Sequence, residues 1–396
     1  MSNIPKLRFP EFSGEWEKSE LGKFTQEITR VNSNSDAPIM MISAANGFIL
    51  QSNKYSKEMT GQSLKKYIEL HAGEFAYNHG ASKLKKYGAC FCLDLDKARI
   101  PFVYHCFKLT EGNTKFFSYL LNRTQLDSEL ARYISSSARM DGLLNISYTD
   151  YMKINISVPT LAEQQKIADF LSNVDSIITA ETKILKTLQK KKKALMQKLF
   201  TQQLRFKSDD GKDFPAWEEK KLGDVCETYS GGTPKSGTAE YYGGEIPFIR
   251  SGEISSNKTE LFLTEKGMEN SSAKMVSKGD ILYALYGANS GLCSISKIDG
   301  AINQAILCIK TNENKRFLCN YLQYQREYFY STYLQGGQGN LSGKLVESFI
   351  IPLPCLAEQQ KIADCLSSLD SLIQTQQKVV TTWQQRKKAL LQQMFV

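Results

Sequence analysis

The chain is an imperfect tandem duplication, and that limits what it can fold into more than any other feature. Leu161 to Phe200, LAEQQKIADFLSNVDSIITAETKILKTLQKKKKALMQKLF, lies without a gap against Leu356 to Phe395, LAEQQKIADCLSSLDSLIQTQQKVVTTWQQRKKALLQQMF. About 23 of the 40 positions are identical. The register extends backward, aligning Asn145-Ile146-Ser147 with Asn340-Leu341-Ser342 and Pro159 with Pro354. The front of each half repeats as well: Leu7 to Phe24 matches Leu204 to Val225, pairing Trp16 with Trp217 and Leu21-Gly22 with Leu222-Gly223. Between these edges the interiors diverge, although Gly73 to Tyr77 followed by His79 to Ser82 still echoes Gly279 to Tyr283 followed by Tyr286 to Ser290. The plan is therefore a variable block (1–160), a constant block (161–200), a second variable block (201–355) and a second constant block (356–396).

The constant blocks read as long helices. In the first, Ile167, Leu171, Val174, Ile178, Leu185, Leu188, Leu195 and Leu199 follow alternating three- and four-residue steps, with Glu181 and Lys192 at the two missing seam positions. The second repeats the stripe with Ile362, Leu366, Leu369, Ile373, Val380, Trp383, Leu390 and Met394, and again has polar residues, Gln376 and Lys387, at the same gaps. A 3.5-residue seam predicts a left-handed coiled coil. Neither block contains Gly or Pro, and Thr160 with Glu163 makes a capping-box pattern at the first start. About 40 residues at 1.5 Å each give a rod of roughly 60 Å. Because the polar interruptions are duplicated, the two helices are expected to pair with each other, which requires that they run antiparallel or that the second domain folds back; an antiparallel pair would place the variable domains at opposite ends.

The variable blocks read as mixed α and β. Ala89 to Leu95, Phe102 to Leu109, Asp280 to Leu285 and Ala301 to Ile309 look like strands, whereas Lys115 to Leu121 and Lys315 to Tyr333 look helical. The fold class expected is α+β, with two mixed domains separated by a long antiparallel two-helix coiled coil and related by a pseudo-two-fold internal repeat.

Catalytic signatures are missing. The sequence has no GxxxxGK[ST], GxSxG or HExxH, and SGGTPKSG (Ser230 to Gly237) has the wrong spacing for a phosphate loop. All three histidines lie in the first block, which excludes a duplicated histidine-based site. Cys90, Cys92, His105 and Cys106 are the nearest thing to a metal cluster, but their spacing is not that of a zinc site and the second block has no counterpart, so they read as buried thiols. No glycine-rich loop suited to an adenosyl cofactor and no Asn-Pro-Pro-Tyr-type segment occurs, so methyl transfer is not encoded here. Nine scattered cysteines, no run of about 18 apolar residues and no secretory start predict a cytoplasmic protein without a membrane contact.

What remains are loops carrying amides, hydroxyls, cations and aromatics. The first block concentrates Asn78, His79, Ser82, Lys83, Lys85, Lys86 and Tyr87, with Arg139 further on. The second offers Thr233, Lys235, Arg250, Ser251, Tyr286, Asn289, Ser290 and Asn340. Amides and guanidinium groups suit base edges, while lysines and hydroxyls suit phosphates. The formal charge of +9 divides as +4, +4, −1 and +2 over the four blocks, so the second variable block is slightly acidic. The helix charge sits largely in Lys190 to Lys193 and Arg386 to Lys388.

The domain and LAEQQKIAD-helix plan, with Thr233 to Ile254 (TPKSGTAEYYGGEIPFIRSGEI), resembles over essentially the whole chain the specificity subunit of type I restriction-modification enzymes. The first block departs from that common opening and suggests a different recognition-domain subtype. The resemblance implies that each variable block is a target-recognition domain reading one half of a split site in double-stranded DNA, with the helices as the spacer. It also implies two modification (methyltransferase) subunits as partners, restriction subunits in the full complex, and S-adenosylmethionine, ATP and Mg2+ on those partners. The competing reading is a coiled-coil adaptor that organises proteins and never reads DNA; it does not explain why the interiors diverge while their edges are preserved.

Overall fold

The computed structural model describes residues 3–32, 34–54, 62–80, 82–134, 144–333 and 340–396. They form two compact units that cut across the sequence blocks. One unit is Met1–Glu181 with Val379–Val396, and the other is Thr182–Lys378. Each unit therefore holds one variable domain, a portion of the first long helix (Leu161–Phe200) and a portion of the second (Leu356–Gln393).

The two domains share a frame. In the first unit a four-stranded antiparallel sheet runs in the order Thr25–Glu27, His105–Leu109, Phe75–Asn78, Ala89–Cys92. The second unit repeats it with Cys226–Ser230, Ile306–Thr311, Ile281–Ala284, Cys293–Ile295. The sequence echo between Gly73–Tyr77 and Gly279–Tyr283 falls on the same inner strand of both sheets. An asparagine then caps the equivalent helix in each: the Asn113 side chain accepts from Phe116 N ahead of Thr114–Leu121, and Asn314 accepts from Arg316 N and Phe317 N ahead of Lys315–Tyr324. A two-stranded antiparallel ribbon closes each domain just before its long helix, Glu17–Glu20 on Asn155–Val158 and Glu218–Lys221 on Ile350–Leu353.

Outside this frame the domains differ. The first carries two further antiparallel pairs, the hairpin Met40–Ser43 with Gly47–Leu50, and Ile68–His71 with Lys97–Ile100. The second builds a mixed sheet in which Phe248 and Ile249 pair in parallel with Ala301 and Ile302. The run from Ala301 to Ile309, expected as one strand, is two strands in two sheets, Gly300–Ile302 and Ile306–Thr311. The break falls on its polar residues, where the Asn303 side chain accepts the Ala305 N–H at 3.1 Å. Helix Lys315–Tyr333 is likewise two helices, Lys315–Tyr324 and Arg326–Tyr333.

The helix portions run antiparallel within each unit. In the first, Ile167, Ala168 and Leu171 share a core with Leu390, Met394 and Phe395, while Asp175, one turn on, pairs with Lys387 at 2.5 Å. In the second, Met196, Leu199 and Phe200 share a core with Ile362, Ala363 and Leu366, while Lys192 pairs with Asp370 at 2.7 Å. These ion pairs are related by the repeat, so the lysines that interrupt the apolar stripe are cross-helix partners. Of the stripe residues, Ile167, Leu171, Val174, Leu185, Leu199, Ile362, Leu366, Val380 and Met394 are buried; Ile178, Leu188, Leu195, Leu369, Ile373, Trp383 and Leu390 are half-buried. Among the described residues no helix is long and apolar enough to cross a membrane.

The repeated LAEQQ segment fastens each long helix to its domain. Glu163 and Glu358 are 1% and 0% exposed, although both are carboxylates. Glu163 accepts from Arg8 Nε and Nη2 at 2.8 and 2.7 Å and from Trp16 Nε1 at 3.3 Å. Glu358 accepts from Arg205 Nε and Nη2 at 3.0 and 2.7 Å and from Trp217 Nε1 at 3.0 Å. Bidentate, charge-assisted bonds of this kind are what allow a carboxylate to lose its water. The neighbouring glutamines, Gln164 and Gln359, accept the backbone N–H of Asn113 and Asn314 and donate to the carbonyls of Pro159 and Pro354. The capping box expected at Thr160 and Glu163 is thus only half present. Glu163 N lies 3.5 Å from Thr160 Oγ1, but the Glu163 carboxylate turns to Arg8 and Trp16.

Candidate nucleic-acid interface

The first loop group singled out in the sequence and three residues of the second, Tyr286, Asn289 and Ser290, occupy the same topological position. Asn78 to Tyr87 connects the inner strand Phe75–Asn78 to the edge strand Ala89–Cys92, and Tyr286 to Ser290 connects Ile281–Ala284 to Cys293–Ile295. Each hairpin has a glycine in the left-handed region just ahead of its edge strand, and in the first domain that glycine also allows a close backbone approach. Gly88 has φ +83°, and a Cβ there would meet Asn78 O at 2.5 Å; Gly291 has φ +77°, and its Cβ would lie 2.9 Å from Arg326 Cγ.

Each hairpin is also tied to the end of its equivalent helix by a cation. In the first domain the Lys85 ammonium, half-buried, donates to the carbonyl of Asn122 just past Thr114–Leu121, and burial pulls its pKa below the ordinary lysine value. In the second the direction reverses: Arg326 donates through Nε to Ser290 O at 2.9 Å and through Nη2 to Ala288 O at 3.3 Å. Beneath this loop, Tyr283 is fully buried and its hydroxyl has no hydrogen-bond partner.

Apart from Lys85, the candidates fall into three groups. Several are committed to the fold. His79 is buried, with Nδ1 2.7 Å from Leu144 O and Nε2 2.9 Å from Val103 O, and its ring stacks on His105 at 5.0 Å. Asn78 donates to Ile42 O and accepts from Gly80 N. Ser290 is buried and donates to Leu285 O at 3.1 Å. Ser82 accepts the Lys85 N–H at 3.0 Å and so shapes the loop. The Tyr87 carbonyl accepts from Tyr77 Oη. Arg250 is locked between Glu253 and Glu260, at 3.1 and 2.6 Å. Burial pushes the Glu253 carboxyl up, but bonds from Arg250 and from the backbone N–H groups of Glu260 and Arg250 outweigh it and hold the group at about 2.

A second group is exposed or half-buried. Lys83, Lys86, Lys235 and Asn340 are exposed, and Lys86 lies over the Tyr87 ring at 5.2 Å. Thr233 is exposed and donates to Gln304 Oε1 at 2.5 Å. Ser251, Tyr286 and Asn289 are half-buried. The third group is Arg139 alone, which lies outside the described residues.

The second domain draws several of these together. Leu341 N donates to Leu285 O at 3.0 Å, which brings Asn340 beside the Tyr286–Ser290 hairpin; Leu144 N makes the same kind of bond to His79 O at 2.9 Å in the first domain. Thr233, Lys235 and Arg250 belong to the separate mixed-sheet side of the second domain. Sequence reasoning missed Arg326, because its role depends on the hairpin folding back onto the helix end.

The cysteine and histidine group holds no metal-binding set: among the described residues no three ligand side chains converge. Burial pushes the Cys90 thiol up to about 12 and moves Cys106 in the same direction. His105 is lowered, first by burial and further by the neighbouring His79.

Comparison with known proteins adds an independent line. The family model described as the type I restriction modification DNA specificity domain matches twice, over residues 22–190 and 216–382. A putative type I restriction enzyme MjaX specificity subunit from Methanocaldococcus jannaschii is 27% identical over 416 aligned residues, covering 98% of this chain and 95% of the relative. The EcoR124I/EcoR124II specificity subunit of Escherichia coli is 28% identical over 39% of this chain and 41% of its own length. In fold, the chain is similar to the S subunit of a type I restriction-modification system from M. genitalium, with a TM-score of 0.61 at 15% identity and 99% coverage of both chains. A second structure, from work on complex assembly and conformational transition of the type I system, gives a TM-score of 0.56 at 18% identity, covering 96% of this chain and 97% of the other.

Proposed function

The chain belongs to the type I restriction-modification DNA specificity family, whose domain it carries twice, and from that premise we propose how its residues divide the work. It is a non-catalytic specificity subunit that reads a bipartite DNA target, one half with each domain, and acts in the cytoplasm as the scaffold of a larger complex. The observation that carries the residue-level reading is the coincidence of the two candidate loops on one hairpin of two equivalent sheets. A duplicated frame that places different polar side chains on equivalent hairpins, Lys83 and Lys86 in one domain and Asn289 in the other, suits a reader that must meet two different half-sites.

In this reading the solvent-facing Lys83 and Lys86 hold phosphates, and Tyr286, Asn289 and Asn340 lie against base edges or the adjoining backbone. His79, Asn78 and Ser290 shape the loops without touching DNA. Arg250 acts through the turn it makes with Glu253. Two modification subunits and, in the full complex, restriction subunits dock on the scaffold. Those partner chains hold S-adenosylmethionine, ATP and Mg2+; this chain holds none of them.

The test is Asn289→Ala in the complex with its modification subunits, with the methylated sequences mapped genome-wide. Specificity is expected to relax or change in only one half-site, by the roughly 1–3 kcal/mol that a good base contact supplies. Unchanged specificity would remove Asn289 from the reading set.

A further inference from the structure

The second variable block is slightly acidic, with a net charge of −1, which is an awkward property for a surface that holds a polyanion. Its charges are not evenly spread. Two adjoining clefts of about 920 and 680 Å³, sharing Lys192 and Gln323, lie within the second unit between the domain and the long helices. One is lined by Lys192 and Lys193 of the first long helix, by Gly287, Ala288 and Ser290 of the candidate hairpin, and by Arg326. The other adds Lys278, Lys297 and Arg316. Six cations thus line the two clefts against two acids, Glu327 and Asp370, and Asp370 is already paired with Lys192.

We infer that these clefts receive the DNA phosphate backbone beside the half-site read by the second domain, so that the spacer helix itself contributes to holding DNA through Lys193. This rests on the specificity-subunit reading above. Three features support it. The lysines that would meet phosphate, Lys193, Lys278 and Lys297, are exposed, in contrast to Lys192, whose ammonium serves the helix pair. The cleft wall includes the loop assigned to reading the target, so a strand held there runs directly past it. Arg326 fixes that wall through two loop carbonyls and adds its own charge to the cleft. The basic run Lys190 to Lys193 therefore has two roles, with Lys192 structural and Lys193 directed at the ligand.

The experiment uses the full chain in complex with its modification subunits and measures dissociation constants for duplex DNA carrying the recognised site, from about 50 to 200 mM salt. The variant is Lys193→Gln/Lys278→Gln/Lys297→Gln. A control of equal charge change, Lys207→Gln/Lys212→Gln/Lys266→Gln, alters exposed lysines outside the clefts. If each cleft lysine neutralises one phosphate, the slope of log K against log salt falls by about 2.7, and wild type loses about 40-fold more affinity across this range than the variant does. The control keeps the wild-type slope, and the methylated sequence stays the same. A wild-type slope in the cleft variant, with specific methylation intact, overturns the cleft assignment and leaves the specificity reading standing. Loss of assembly with the modification subunits at unchanged slope identifies a protein-docking surface and also overturns it. If the wild-type complex shows no site-specific DNA binding, the reading on which the inference rests fails with it.

Discussion

Replacing Glu358 with Gln isolates the contact that fastens the second long helix to its domain. The carboxylate is fully buried and accepts three N–H groups, two from Arg205 and one from Trp217. Removing the charge leaves the Arg205 guanidinium, only 27% exposed, without its counter-ion. Breaking a buried pair by changing one partner costs about 3–5 kcal/mol, and the partial exposure of Arg205 places this case near the lower end, about 3 kcal/mol. For a cooperative unit of this size that corresponds to a fall in Tm of roughly 6–12 °C. Urea unfolding followed by fluorescence reports on the site directly, because Trp217 touches the substituted group; changing the other two tryptophans, Trp16 and Trp383, to Phe leaves it as the single reporter. The repeat supplies an internal control in the chain that keeps Trp16: there Glu163→Gln removes the equivalent contact to Arg8 and Trp16 and is expected to cost a similar amount in the first unit. A loss below about 0.5 kcal/mol, the range of ordinary surface substitutions, would refute the claim that LAEQQ is a structural fastening.

Two further perturbations address the candidate loops. Gly88→Ala forces a side chain into a left-handed backbone position with its Cβ 2.5 Å from a carbonyl oxygen, so calorimetry of the variant is expected to show a loss of about 2 kcal/mol or more. Glu253, held at about 2 in the folded chain against an ordinary 4.5, stabilises its turn fully above about pH 4.5 and loses that contribution as pH falls toward 2. The stability gap between wild type and Glu253→Gln, followed by urea unfolding at successive pH values, should therefore narrow across that window, and a gap independent of pH would contradict the assignment.

Much of this arrangement was legible in the sequence because duplication acts as a self-comparison. The edges preserved in both halves proved to be the closing ribbons, the glutamate fastenings and the long helices, which every copy needs whatever its domain reads. The echo at Gly73–Tyr77 and Gly279–Tyr283 marked the shared inner strand, where burial on both faces restricts the residues that fit. The partners of the polar seam positions were not legible. Asp175 and Asp370 lie outside the apolar stripe, and only the antiparallel register brings them to Lys387 and Lys192. The fate of Glu163 was misread for a similar reason: a local capping pattern competed with Arg8, 155 residues away, and the bidentate ion pair won. Composition also overstated the surface role of His79 and Ser290, since a polar residue in a loop sequence can still be buried when the hairpin folds onto its own sheet.

The central claim is that each domain reads one half of a split target independently of the other. Its most direct test is to exchange residues 25–140 for the corresponding segment of a relative and to map methylated sites at single-molecule resolution in cells that carry the modification subunits. One half of the methylated sequence is expected to change while the other half and the gap between them are preserved. A change in both halves, or in neither, would contradict it.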